Sequence, residues 1–234
     1  MITKSMTSEE VLKELKKDDL YVMDRWDGLL IKNKKKLKSK FVKNKDIMSV
    51  STYVVPETRN TVVVYATKYI STLKGRDYSS MILNCYYKTC YETYIVPSFK
   101  NSDPVGYVEY THHSVDRMKT RLGKDFDTFF REDWIKRNEG SMVYVDYDYN
   151  GDANERVAHV GDAFLIVACD SDGKRSVVKT ILSTADLHSH QLQNKLNSMK
   201  KVDRLNEIVV ERIDAEAEEH LKKYKRMGLV RKVA

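Results

Sequence analysis

No apolar run in these 234 residues is longer than about six, the longest being 61–66 and 164–169. A membrane-spanning helix needs ~20 such residues, so no membrane partner is expected. Residues 1–19 mix acids and lysines without an apolar centre, which argues against a signal peptide. Three cysteines, an odd number, fit a reducing compartment better than a disulfide framework. Three prolines and nine glycines are too few for collagen-like or proline-rich disordered chains. No phosphate-loop glycine pattern and no nucleophile elbow occur. The expectation is a cytoplasmic protein, or a virion component if phage-encoded, with 41% hydrophobic residues to fill a core.

What is abundant is positive charge, and it is unevenly spread. The net charge of +7 divides into +6 over 1–110, −3 over 111–186 and +4 over 187–234. Residues 32–45 hold eight lysines and no acid. Such a run attracts phosphate backbones through counterion release, and read without a ligand it is a solvated loop. Its members Lys32, Lys34, Lys35, Lys36, Lys38 and Lys40 are the candidate nucleic-acid contacts, RNA being favoured over DNA.

Periodicity divides the chain into three regions. Thr7-Ser-Glu-Glu10 has the form of a capping box, and Val11, Leu12 and Leu15 follow as one face of a helix. Segments 50–55, 61–70, 81–90 and 93–96 are rich in Val, Ile, Thr and Tyr and predict strands, with a turn at 57–60. Most of the fifteen tyrosines fall here and read as core residues, with RNA stacking as the other reading. The polar cluster 101–106 predicts a boundary. Beyond it come a strand at 107–110, helices over 114–122 and 126–137, and strands over 142–149, 157–169 and 176–182. Asn150-Gly151 and Asp172-Gly173 are hairpin turn signals. From 186 to 226 apolar residues recur mostly every three or four positions. The fold class predicted is α+β: an N-terminal helix and β-rich region (1–105), helices packed on an antiparallel meander (106–185), and a long amphipathic C-terminal helix (186–234).

The segment that points to chemistry is Thr111-His-His-Ser-Val-Asp-Arg-Met-Lys-Thr-Arg121. On a helix, His113, Arg117 and Arg121 share one face, whereas Val115, Met118 and Leu122 share another. A histidine in the first turn above two guanidiniums suits an anionic ligand, and an imidazole can pass a proton near neutral pH. The adjacent His112 competes for that role. The alternative is structural: His113 caps the helix, and both arginines pair with Asp116, Asp125 or Asp127.

The pattern His113-Ser-Val-Asp-Arg117-Met-Lys-Thr-Arg121 resembles the first-helix signature of RelE-like and colicin D-like ribonuclease toxins. Ser176-Val-Val-Lys-Thr180-Ile-Leu resembles the closing strand of that superfamily, whose helices pack on a four-stranded antiparallel sheet. The resemblance covers roughly 107–184. It implies metal-independent RNA cleavage by attack of the 2′-OH on the adjacent phosphate. His113 would then transfer the proton, Arg117 clamp the phosphate and Arg121 assist, with Lys179 or Thr180 facing the same cleft. No cofactor and no metal are implied.

Other spacings carry less. Asp146–Asp152 alternates oxygen ligands like a calcium loop, but the twelfth position is Val157, so it reads as a hairpin tip. His188, His190, Cys85 and Cys90 give no zinc spacing, and Cys169 reads as core. The competing function is a non-enzymatic assembly protein, such as a phage virion component. Residues 187–230 would then contact partner subunits in a homo-oligomer or larger assembly.

Overall fold

The computed structural model describes residues 1–73, 76–89, 91–100, 103–137, 143–145, 155–161, 163–183 and 186. Contacts group 1–187 as one unit. The expected C-terminal helix beyond Asp186, the 146–152 hairpin tip, Cys90, His188 and His190 lie outside the described residues.

Helix α1 (Ser8–Met23) begins at the Thr7–Glu10 capping box: the Glu10 amide donates to Thr7 Oγ1 at 3.3 Å, and the Thr7 amide donates to Glu10 at 2.7 Å. Its buried stripe is Val11, Leu15, Asp18 and Val22. Helix α2 (Trp26–Lys38) occupies much of the lysine run. The sequence leaves that segment a loop because lysines outnumber its apolar residues. Burial of Leu29 and Asn33 on one side nevertheless makes it helical.

The strands are β1 (Ile47–Val54), β2 (Thr61–Leu73), β3 (Arg76–Lys88), β4 (Tyr94–Lys100) and β5 (Asp103–Tyr110). Helices α3 (His112–Leu122) and α4 (Phe126–Phe129) follow, α4 running into a π-helical segment, Phe130–Arg137. The last strands are β6 (Val143–Val145), β7 (Glu155–Val160), β8 (Ala163–Cys169) and β9 (Arg175–Ser183). All nine form one sheet in the order β1-β2-β3-β4-β5-β9-β8-β7-β6. Every pairing is antiparallel except β5 with β9. The architecture is therefore α+β. Where the polar cluster at 101–106 suggests a boundary, β4 passes into β5, and Asp103–Gly106 are strand residues.

Strand side chains alternate between two cores. Val62 and Val64 of β2 meet Val11, Leu15 and Val22 of α1. Val63 between them and Tyr65 just beyond face the opposite side, with Phe126, Phe129, Phe130 and Trp134. Here Tyr94 and Phe126 stack with centroids 4.0 Å apart, and the hydroxyls of Tyr65 and Tyr86 both donate to Asp127. Tyr65, Tyr86, Tyr87, Tyr107 and Tyr110 are buried, as their strand positions predict, whereas Tyr78 and Tyr91 are exposed. Leu29 of α2 packs on Met48, Ala66 and Met81. Among the described residues, no helix is long and apolar enough to cross a membrane.

The expected single strand over 157–169 is instead the β7–β8 hairpin, with Val160 opposite Ala163. Gly161 supplies the turn with φ +59, and a Cβ there would lie 2.2 Å from Asp133 Oδ1. Both strands send alternate apolar residues into the same core, so the run reads as continuous until the turn residue is weighed. The hairpin expected at Asp172-Gly173 does form between β8 and β9, as a longer loop. The Gly173 amide bonds Asp170 O at 2.9 Å, and the Asp170 amide bonds Arg175 O at 2.9 Å.

Gly161→Ala should destabilise the chain by about 2–3 kcal/mol, through both the left-handed backbone and the clash with Asp133. Thermal unfolding measures this, at roughly 2–4 °C per kcal/mol; an unchanged Tm contradicts it. A pH effect is expected at Asp19 of α1, whose carboxyl is pushed up to about 6 by burial and then by Asp103. The folded state holds that proton more tightly than the unfolded state. This group's stabilising contribution is therefore complete below about pH 4 and is lost as pH rises through about 6. Asp19→Asn should raise stability at pH 7 and flatten the Tm profile between pH 4 and 6, whereas an unaltered profile would refute the assignment.

Candidate active site and cationic surface

The register of β5 against β9 sets one end of the site. Parallel pairing places Tyr107 opposite Arg175 and Tyr110 opposite Val178. Thr111 follows directly and caps α3: its Oγ1 accepts from the Ser114 amide and donates to Val178 O, both at 3.2 Å. One hydroxyl thus starts the helix and ties it to β9. His112 and His113 become the first two helical residues. The cap is Thr111 and not His113, contrary to the structural alternative read from the sequence.

Both histidines open onto a cleft of about 350 Å³. Its base includes Ile95 and Tyr107, and its polar rim includes Lys4, Tyr91, Glu109 and Arg175. Glu109 and Arg175 form a fixed pair, with Nε at 3.0 Å and Nη2 at 2.8 Å from the carboxylate. Both contacts fall on Oε2, so the pair does not take up the other oxygen. Lys4 stands 4.9 Å from the Tyr91 ring centroid, within cation–π range. The segment bearing Lys4 is anchored beside it, where the buried Ile2 donates its amide to Asn60 Oδ1 at 2.8 Å. His112 lies between two carboxylates, 3.5 Å from Glu92 and 3.2 Å from Asp116. His113 is exposed and makes no ion pair with a described residue.

Of the three residues on the predicted helix face, His113 alone lines this cleft. Arg117 is exposed one turn further along α3. Arg121 is half-buried: Nη1 donates to Ile181 O at 2.7 Å and Nε lies 3.9 Å from Asp186. Sharing a helix face therefore does not bring the two guanidiniums to the imidazole. Lys179 is engaged by Glu155, and Thr180 sits opposite Ile166 in the β8–β9 ladder; neither lines the cleft. Sequence reasoning misses Glu109 and Arg175, which are 66 residues apart and share no local spacing. Only the β5–β9 pairing unites them.

The lysine run forms a second feature. Lys32, Lys34, Lys35, Lys36 and Lys38 are exposed on α2, and Lys40 is exposed just beyond it. The helix is pinned by Asn33, whose Nδ2 donates to Leu29 O at 2.9 Å and to Ser49 Oγ at 2.8 Å. Its far end is held by the buried Lys68, whose Nζ donates to Ser39 O at 2.7 Å, a cation at a helix C-terminus. Among the described residues no group of three or more His, Cys, Asp or Glu side chains is placed to hold a metal ion.

The two α3 arginines should behave differently. Arg121→Ala removes a charged hydrogen bond to a part-buried carbonyl and should cost about 1–3 kcal/mol. Arg117→Ala should stay within about 0.5 kcal/mol. Equal losses in urea unfolding would contradict these placements.

No family model matches the chain, and neither the curated proteins nor the solved structures give a match, so function has to be argued from the chemistry of these two features.

Proposed function

We propose that this chain binds RNA and cleaves it without a metal ion, by attack of a 2′-OH on the adjacent phosphate. The observation that carries the reading is the cleft at the start of α3, where two imidazoles share a pocket with a carboxylate–guanidinium pair and an ammonium group. Those are the parts that such a reaction needs. Arg175 and Lys4 neutralise the phosphate as charge builds on its oxygens. The 2′-hydroxyl proton passes to the Glu109 oxygen that the guanidinium leaves untouched. The 2′ oxygen bonds to phosphorus, the phosphorus–5′ oxygen bond breaks, and the departing oxygen takes a proton from protonated His113. The product is a 2′,3′-cyclic phosphate and a free 5′-hydroxyl. Tyr91, exposed beside Lys4, offers a face on which a base can stack. The phosphate role that the resemblance implies for Arg117 falls here to Arg175, because Arg117 does not line the pocket.

The test is cleavage of an end-labelled single-stranded RNA by the full chain in excess EDTA. The expected result is products ending in cyclic phosphate, no cut where the scissile ribose is 2′-deoxy, and a loss of about 10²–10⁴-fold in His113→Ala. An inert wild-type chain, or a His113→Ala variant as active as wild type, overturns the proposal.

A further inference from the structure

A second groove, about 480 Å³, runs along the β1 edge of the sheet, away from the cleft. Its walls come from elements far apart in sequence: Lys36 from α2, and Arg131 and Lys136 from the π-helical segment. Val42, Ile47 and Met48 give it an apolar floor. Two acids also line it, and each is engaged. Asp46 accepts the Lys43 amide at 2.7 Å, and Glu132 pairs with Lys124 at 3.4 Å.

Beyond its rim, Lys32, Lys34, Lys35, Lys38 and Lys40 form no ion pair with any described residue. On α2, Lys32, Lys34, Lys35 and Lys38 stand at i,i+3 and i,i+4 from like charges, each such pair costing about 0.2–0.5 kcal/mol. Asp27 in the first turn is the one acid of that helix. A helix that carries this repulsion beside a cation-walled groove is relieved by a polyanion. From Lys32 to Lys38 the helix rises about 9 Å, a line of charge along which an extended polyanion can lie.

We infer that this groove is a track for the phosphates of an RNA strand, gripped by Lys36, Arg131 and Lys136 and drawn in by the lysines of α2. The inference rests on the RNA-binding reading above and assigns it a surface remote from the cleft. Ammonium and guanidinium contacts to phosphate carry no base information, so the grip is independent of sequence.

The test is fluorescence anisotropy with the full chain and a labelled 2′-O-methyl oligonucleotide, which cannot be cleaved by 2′-OH attack, between 50 and 300 mM KCl. Arg131→Gln with Lys136→Gln should weaken binding about tenfold at 100 mM salt. It should also lower the slope of log K against log[salt] by about 1.4, or 0.7 for each lost contact. Arg131 lies near the Tyr65–Asp127 network, so Lys136→Glu is measured separately and should lower affinity alone. Unchanged affinity and slope in both variants overturn the groove while the RNA reading stands. Failure of the wild-type chain to bind at 50 mM salt overturns the RNA reading itself. Equal competition by polyglutamate, with the same loss in both variants, overturns the groove as an RNA track and makes it a surface for an acidic protein.

Discussion

Four residue pairs, Tyr107–Tyr110 of β5 against Arg175–Val178 of β9, hold the two halves of this sheet together. Among the described residues theirs is the one parallel pairing in eight strand interfaces. A parallel neighbour requires a long crossover, and here the crossover is α3, α4, the π-helical segment and the β6–β8 strands. The return of β9 brings Arg175 beside Glu109 and offers the Val178 carbonyl to Thr111. Helix start, ion pair and histidine placement all depend on that register. A slip of one residue would send each side chain to the other face and dissolve the cleft.

How much of this was legible beforehand follows from which interactions are local. The Thr7–Glu10 capping box and the Val-, Thr- and Tyr-rich segment 61–70 are short-range signals, and both the helix and the strand appear in the fold. The α2 helix was hidden because its buried face needs few side chains, one of them the polar Asn33. The β7–β8 turn has a local signal, Gly161-Asp162 between two apolar segments, which the reading of 157–169 as one strand passes over. At the site, a helix face predicted from spacing is a correct face, but α3 is long enough that its first turn opens on the cleft while Arg121, two turns on, bonds the Ile181 carbonyl of β9. Glu109 and Arg175 carried no signal that a single sequence can offer, since only tertiary pairing joins them.

Under the proposed function, the two cationic features would divide the labour that RNA cleavage demands. The cleft gathers two imidazoles, a carboxylate, a guanidinium and an ammonium group in about 350 Å³, within the range of small-molecule sites, where geometry would govern the chemistry. The α2 surface spreads exposed lysines over a helix face, where affinity comes from counterion release and geometry matters little. The net −3 of residues 111–186 opposes the proposed RNA binding only when that stretch is taken alone. In the folded chain its histidines and Arg175 share a cleft with Lys4 from the basic first third.

The central claim is that an RNA phosphate sits between His113 and Arg175 and not along the exposed arginine of α3. Nuclear magnetic resonance of the full chain, titrated with a 2′-O-methyl dinucleotide, tests this directly. The account predicts that the His113 ring and Arg175 Nε signals move together and saturate at one concentration, with the Arg117 and Arg121 side chains unaffected. Movement confined to Arg117 and Arg121, or a cleft indifferent to the dinucleotide, would contradict it.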